Sequence, residues 1–296
     1  MIYVFLAGVS SIDEALVKAL EKEVSSKFNL QGTLLERETF GALYTCDNDD
    51  VLDLLPKINL EEKYPFDIFA LKDIPNLNKP GVLVLDMDMT SVQIEGIDEI
   101  ARALGVYEKV AEITSKAMHG GLDFASSLKE RVSMLKGGDC KVLSHVKEIM
   151  TETSGLDNLM QTTYDHKWSR GICSGGFVQL IEVLEKKYKL EMVCANSLEM
   201  KDGLFTGKVD KAIVDADVKR EGVLALAKKY QVDKSQIIVL GDGANDLKMI
   251  FEANLGIAYH AKPKVKVQAK FALNVCDLNA VVILLKLALN TIYAKA

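Results

Sequence analysis

Two short apolar runs, far apart in the chain, each end abruptly in acidic residues. One is Val82-Leu83-Val84-Leu85-Asp86-Met87-Asp88-Met89-Thr90; the other is Ile237-Ile238-Val239-Leu240-Gly241-Asp242-Gly243-Ala244-Asn245-Asp246. Continuous apolar runs of this length read as strands buried on both faces, the pattern of a parallel sheet covered by helices. Open parallel sheets bind ligands just beyond the carboxyl ends of their strands. If both runs lie in one sheet, Asp86, Asp88, Asp242 and Asp246 converge at one edge. Carboxylates so placed repel unless a shared proton or a hard cation intervenes, and an oxygen-rich donor set suits Mg²⁺. The pattern points to phosphate chemistry.

The rest of the chain narrows the class. The net charge is −6, and the 36 Lys and Arg residues are scattered, which disfavours a general nucleic-acid binder with its clustered basic stripe. An anionic small-molecule substrate must then be attracted locally, by a metal and a few placed cations. The five cysteines form no C-x-x-C pair and are odd in number, as expected for free thiols in a reducing cytoplasm. Met1 to Val9 is apolar but lacks a basic flank and a cleavage site, so it is not read as a signal peptide. Ala280 to Leu285 is broken by Lys286 and is too short to span a bilayer. The expected partner is a small molecule, with no nucleic acid and no membrane. Oligomeric state is not legible, and a homodimer stays open.

Residues 1–77 read as a small α+β domain. Strands are expected at Ile2 to Ala7 and Ile68 to Leu71, two more within Leu34 to Thr45, and helices at Ile12 to Val24 and Val51 to Leu55. Ile74-Pro75-Asn76-Leu77-Asn78-Lys79-Pro80-Gly81 is punctuated like a linker. Residues 78–93 and 151–296 read as an α/β core, and 94–150, which shows helical patterns and no convincing strand, as a helical insert the size of a small bundle. In the core, Trp168 to Cys173 is a strand, Leu198 to Val209 a hairpin turning at Asp202-Gly203, and Asp217 to Tyr230 a helix.

The candidate site follows from the strand ends. Asp86 and Asp88, two residues apart, would project to the same side of extended backbone. One of the pair can attack phosphorus and form an aspartyl-phosphate, while the other protonates the leaving alkoxide and then activates water. A solvated Asp-x-Asp turn is the plain alternative. Asp242 would complete a metal site with Asp86 and the Asp88 carbonyl. Asn245 and Asp246 would begin the next helix, where capping alone could explain either. Ser174-Gly175-Gly176, between a strand and a helix, could cradle an anion or be an ordinary N-cap turn. Lys219 is either a surface lysine or the cation that neutralises the phosphoryl group.

Taken in order, Asp86-x-Asp88-x-Thr90, Ser174, Lys219 and Gly241-Asp242-Gly243-Ala244-Asn245-Asp246 resemble the haloacid dehalogenase superfamily. Three longer stretches are similar to its phosphoserine-hydrolysing branch: Asp86 to Ala101, Gly121 to Val132, and Ile257 to Pro263. The resemblance covers roughly residues 80 to 290. Residues 1–77 resemble, loosely, the amino-acid-sensing domain of some members. The resemblance implies a Rossmann-like parallel-sheet α/β core with a helical cap. It also implies Mg²⁺-dependent hydrolysis of L-phosphoserine, the last step of serine biosynthesis.

In that pattern Asp86 is the nucleophile and Asp88 the acid/base, and Asp86, the Asp88 carbonyl and Asp242 hold Mg²⁺ with Asp246 in support. Ser174, Gly175 and Lys219 hold the phosphoryl group within reach of Asn245, while Glu95 and Arg131 recognise the serine part. Arg131 can grip a carboxylate with two parallel N–H bonds, and Glu95 can accept an ammonium. Without the resemblance, Glu95 reads as a first-turn helix charge and Arg131 as a solvated helix residue. Met89 stands where many relatives carry Ser. Gly96 is expected to weaken the first cap helix by roughly 1 kcal/mol relative to Ala and so to loosen a hinge. The alternatives are a related phosphatase or phosphotransferase for another small phosphomonoester, or an amino-acid-sensing regulatory protein.

Overall fold

A computed structural model describes residues 1–118, 123–210 and 212–295. The chain opens with β1 (Ile2–Gly8), α1 (Glu14–Glu23), β2 (Asn29–Glu36), β3 (Thr39–Cys46), α2 (Val51–Leu60) and β4 (Asp67–Leu71). These strands form an antiparallel sheet in the order β2-β3-β1-β4. Alternation along β1 sends Ile2, Val4 and Leu6 to one face, where they meet Val17 and Leu20 of α1 and Leu55 and Ile58 of α2. Phe5 and Ala7 face the other way.

The strand β2 starts earlier than its apolar content suggests. It is an edge strand with a bulge between Leu30 and Gly32, and an edge does not need an unbroken apolar face. The helix α2 likewise runs past Pro56, where the sequence reads as stopping at Leu55. An interior Pro costs about 3 kcal/mol. The extra turn buries Ile58 and places Asn59, which accepts from the Ile68 N–H at 2.9 Å and donates to the Ala272 carbonyl at 2.8 Å.

The second half of the architecture starts with β5 (Val82–Leu85), then α3 (Gly96–Ala103), α4 (Tyr107–Met118), α5 (Phe124–Ser133), α6 (Val142–Ile149) and α7 (Leu156–Asp165). Then come β6 (Ser169–Phe177), α8 (Val178–Tyr188), β7 (Met192–Asn196), β8 (Leu198–Lys201) and β9 (Leu204–Val209). The chain finishes with α9 (Ala216–Lys229), β10 (Ile237–Gly241), α10 (Leu247–Glu252), β11 (Leu255–Tyr259), α11 (Pro263–Lys266), β12 (Phe271–Leu273) and α12 (Asn279–Thr291). Six strands make a parallel sheet ordered β12-β11-β10-β5-β6-β7. All residues of β5, β10 and β11 are buried, as their apolar runs predict.

The helices α3 to α6 stand over the carboxyl ends of this sheet. Two connectors joining them to it run side by side: the Gln93 N–H donates to Thr151 O at 2.9 Å and the Thr153 N–H to Ser91 O at 3.0 Å. The β8–β9 hairpin turns at Asp202 (φ +53°) and Gly203 (φ +79°), a two-residue turn with both central residues at positive φ. It braces the loop after α5 through Gly137 N–H to Phe205 O and Phe205 N–H to Gly138 O.

The segment at 74–81 is not a loose tether. Ile74 and Leu77 are buried, and Asn76 exchanges two hydrogen bonds with the Gln236 side chain, 2.7 and 2.9 Å. The last helix, α12, packs on the face of the antiparallel sheet opposite α1 and α2. A Cβ on Gly41 would lie 2.4 Å from Ile283 Cγ2, so the small residue in β3 is what lets the helix seat. Phe5, Leu43 and Phe69 therefore share one apolar cluster with Val281 to Leu285. Among the described residues no helix is long and apolar enough to cross a membrane.

Candidate active site

The strands β5 and β10 are neighbours, with Leu85 opposite Leu240, so the acidic residues that follow them meet. The Asp86 N–H donates to Leu240 O at 2.9 Å. Its Oδ1 accepts from the Met87 N–H at 2.7 Å and lies 3.1 Å from Lys219 Nζ. Those donors fix the carboxylate, and among the described residues no hydrogen bond engages Oδ2. The chain then turns sharply: Ser91 Oγ donates to Asp86 O at 2.6 Å, and Met89 adopts φ +55°, a left-handed conformation costing roughly 1–2 kcal/mol for a non-glycine residue.

Lys219 lies in the first turn of α9 and has no exposed surface. The helix starts at Ala216 because Asp215 caps it, accepting from the N–H groups of Asp217 and Val218. That start turns Lys219 inward to Asp246 Oδ1 at 2.6 Å. Burial alone would lower the Lys219 pKa, but Asp246 and Asp86 outweigh it and raise it. Asp246 also caps the turn that begins at Gly243, whose N–H it accepts at 2.9 Å. The capping and charge roles of Asp246 coexist.

Carboxylate oxygens of Asp86, Asp242 and Asp246 lie within 4.8 Å of one another. Burial and the charges of Asp86, Asp246 and Glu95 push Asp242 up to about 8. Asp88, facing the same space, is raised well above the usual carboxylate range by burial, then by Glu95 and Asp86. Such crowding of hard oxygen donors fits a divalent cation, whose charge would remove the repulsion.

A cavity of about 760 Å³ opens over these groups. Asp86, Asp88, Gly175, Asp242 and Asn245 line it from the sheet side, Glu95 and Arg131 from the helical side. Ser174 and Lys219 do not line it; both are fully buried beneath its floor. Ser174 lies within β6, which runs on to Phe177 and is longer than expected. A register shift between Cys173 and Phe177 lets the Ser-Gly-Gly segment bulge, and Ser174 Oγ accepts from the Gly176 N–H at 2.8 Å. A Cβ on Gly176 would come 2.6 Å from Asp88 Oδ2.

Gly96 is the first residue of α3, so it is not an interior weak point. Its N–H donates to Asp88 Oδ1 at 2.9 Å, and a Cβ there would meet Leu180 Cδ1 at 2.7 Å. Its lack of a side chain serves close approach to Asp88, not hinge softness. Glu95 and Arg131 face one another electrostatically. Burial raises Glu95, Asp98 and Asp86 add to that, and Arg131 and Lys262 oppose it. Arg131 Nε donates to Ser127 O at 3.4 Å, and no hydrogen bond among the described residues engages its terminal nitrogens. Gly121 and Leu122, part of the stretch that resembles the superfamily, lie outside the described residues.

Sequence reading missed three contributors. Asn196, 1% exposed, donates from Nδ2 to Gly175 O at 2.8 Å and accepts the Val214 N–H on Oδ1 at 2.9 Å. It thereby ties the Ser-Gly-Gly bulge to the loop leading into α9. Its signal was available, since it too ends a parallel strand. Phe124 touches the bulge, its Cζ lying 2.8 Å from where a Gly175 Cβ would be. Lys262 lines the cavity near Glu95; it lies in the Ile257 to Pro263 stretch that resembles the family, where no role was assigned to it.

A model of haloacid dehalogenase-like hydrolases matches residues 181–285. The chain is 44% identical over 223 residues to a phosphoserine phosphatase of Vibrio cholerae, covering 75% of this chain and 68% of that one. It superposes on the unliganded structure of a probable phosphoserine phosphatase from Vibrio cholerae with a TM-score of 0.83 and 35% identity, covering 99% of this chain and 89% of the other. A structure described as a phospho-aspartyl intermediate analogue of phosphoserine phosphatase aligns at 34% identity and TM-score 0.65, over 69% of this chain and 98% of that one.

Proposed function

Because the chain belongs to the phosphoserine phosphatase family of haloacid dehalogenase-like hydrolases, we propose that it hydrolyses L-phosphoserine to serine and phosphate through an aspartyl-phosphate on Asp86. The observation that carries this reading is the meeting of Asp86, Asp88 and Asp242 in one cavity whose opposite wall holds Glu95 and Arg131.

The substrate carboxylate pairs with the guanidinium of Arg131, and its ammonium with Glu95. This sets the phosphoryl group against the Asp86 carboxylate. The free Oδ2 attacks phosphorus in line with the departing serine oxygen. Lys219, beside Oδ1, offsets charge on the aspartate and on the transferring group. Burial and its acidic neighbours raise Asp88 toward its protonated form, and as the acid it gives a proton to the serine oxygen as the P–O bond breaks. As a carboxylate, Asp88 then takes a proton from water, which attacks phosphorus and releases Asp86 and phosphate. Serving first as acid and then as base suits a carboxyl whose pKa burial has raised.

Mg²⁺ would be held by the carboxylates of Asp86 and Asp242 and the Asp88 carbonyl, with Asp246 behind them, and would supply charge neutralisation at the phosphoryl oxygens. Residues 94–150 would act as a cap, excluding bulk water while the intermediate exists. Such an enzyme would act in the cytoplasm, at the end of serine biosynthesis. Phosphate release from L-phosphoserine with Mg²⁺ is the direct test. A protein that releases none, or whose Asp86→Asn variant turns over at the parental rate, defeats the assignment.

A further inference from the structure

Cys173 and Cys194 are register partners on the parallel strands β6 and β7. Side chains of register partners leave the same face of a sheet. Here both face α9, where a Cβ on Gly222 would lie 2.8 Å from Cys173 Sγ and 3.7 Å from Cys194 Cβ. The missing side chain of Gly222 makes the room that the Cys173 sulfur occupies beside Cys194. Neighbouring strands run roughly 4.8 Å apart, within the roughly 4.4–6.8 Å Cα separation that a disulfide spans. The two thiols lie close enough to perturb one another's ionisation. Cys173 is fully buried, whereas Cys194 is partly exposed.

We propose that Cys173 and Cys194 form a reversible disulfide on exposure to a hydroperoxide, Cys194 reacting first and Cys173 resolving. The Cys194 sulfur attacks one peroxide oxygen; the O–O bond breaks, an S–O bond forms, and the other oxygen leaves as water or alcohol with the thiol proton. The Cys173 sulfur then attacks the Cys194 sulfur. The S–O bond breaks, the S–S bond forms, and the hydroxyl leaves as water with the Cys173 proton. Two thiols lose two electrons and two protons, and the peroxide is reduced by the same count.

Electrostatics favour that order. The neighbouring Cys173 thiol brings Cys194 down to about 7, with Lys219 helping and burial opposing. Cys173 is held well above the usual thiol range by the neighbouring Cys194 and by burial. The exposed partner is thus the one with thiolate character. Cys173 immediately precedes Ser174, and Gly222 follows Lys219 by one helical turn. Drawing the sulfurs to roughly 2.05 Å pulls on the phosphate-facing bulge and on the helix carrying Lys219. Cys46, Cys140 and Cys276 have no such partner among the described residues.

The test uses the full chain, reduced, treated with hydrogen peroxide and digested without reductant. The expected product is one peptide joining Cys173 to Cys194, lighter by two hydrogens than its parts. Most of the phosphatase activity should disappear with it and return on adding dithiothreitol. Cys194→Ala should keep its activity, yield no linked peptide and resist peroxide. Absence of the linked peptide in the parent protein, or Cys194 recovered only as a sulfinic acid, overturns the proposal. The activity half rests on the phosphatase reading. A linked peptide in a protein that never released phosphate from phosphoserine sustains the disulfide and defeats that reading instead.

Discussion

Lys219 Nζ lies 2.6 Å from Asp246 Oδ1, and neither side chain has any exposed surface. Removing one member of such a pair leaves an uncompensated buried charge, typically costing about 3–5 kcal/mol. Asp246→Asn keeps an oxygen for the Gly243 N–H but loses the charge opposite Lys219. Its melting temperature should fall clearly and its activity should fall with it. Thermal unfolding of the purified variant decides this, and an unchanged melting temperature would show that Lys219 finds enough compensation in Asp86 alone.

Asp88 should matter only where the leaving group needs a proton. Asp88→Asn should lower turnover of phosphoserine by about 10²–10⁴-fold, the usual span of general acid–base catalysis. An aryl phosphate with an acidic phenol leaves unaided. On that substrate the first half-reaction should survive, so rapid mixing should show a burst of phenol followed by slow hydrolysis. Equal damage to both phases on both esters would argue that Asp88 is not the proton donor.

The guanidinium of Arg131 should discriminate by carboxylate. Losing charged hydrogen bonds of about 1.5–3 kcal/mol implies that Arg131→Ala lowers kcat/KM for phosphoserine by about 10- to 150-fold. A phosphomonoester lacking the carboxylate should be hydrolysed nearly as well by the variant as by the parent. Equal losses on the two substrates would remove Arg131 from recognition.

Crowded carboxylates should make the metal-free protein sensitive to alkali. Asp242 moves from an ordinary 3.8 to about 8 on folding. Its folded form therefore prefers the proton, and the stability that this contributes is complete below the unfolded value and is lost as pH rises through about 8. Without divalent cation the parent should lose melting temperature across that window, and Asp242→Asn should lose less. Adding Mg²⁺ should restore the parent and leave Asp242→Asn almost unmoved. Parallel melting curves for the two proteins in chelator would contradict this.

Asn196 should act through position alone. Asn196→Ala removes the partner of Gly175 O and of the buried Val214 N–H. Turnover should drop with little change in affinity for a carboxylate ligand such as serine, because Arg131 and Glu95 are untouched. A matching loss of serine binding would point to collapse of the cavity instead.

Much of this protein was readable in one dimension. The runs ending at Leu85 and Leu240 are apolar throughout because parallel strands are covered on both faces, and chemistry follows where such runs stop. Asp86, Asp88 and Asp242 could therefore be named from spacing, and the Asp202-Gly203 turn from its backbone demands. Other features have no local signature. Lys219 is one lysine among many until α9 turns it inward, and Asn196 bonds two loops that only the sheet brings together. The early segment around Asn76 looks like a tether because Pro and Asn break periodicity, yet Gln236 from another part of the chain locks it down. Gly96 and Gly176 are small because Asp88 stands beside them in space. Local pattern determined which elements form and which residue types end them. Long-range packing alone decided which side chains meet, because burial and charge pairing depend on neighbours that the order of residues does not list.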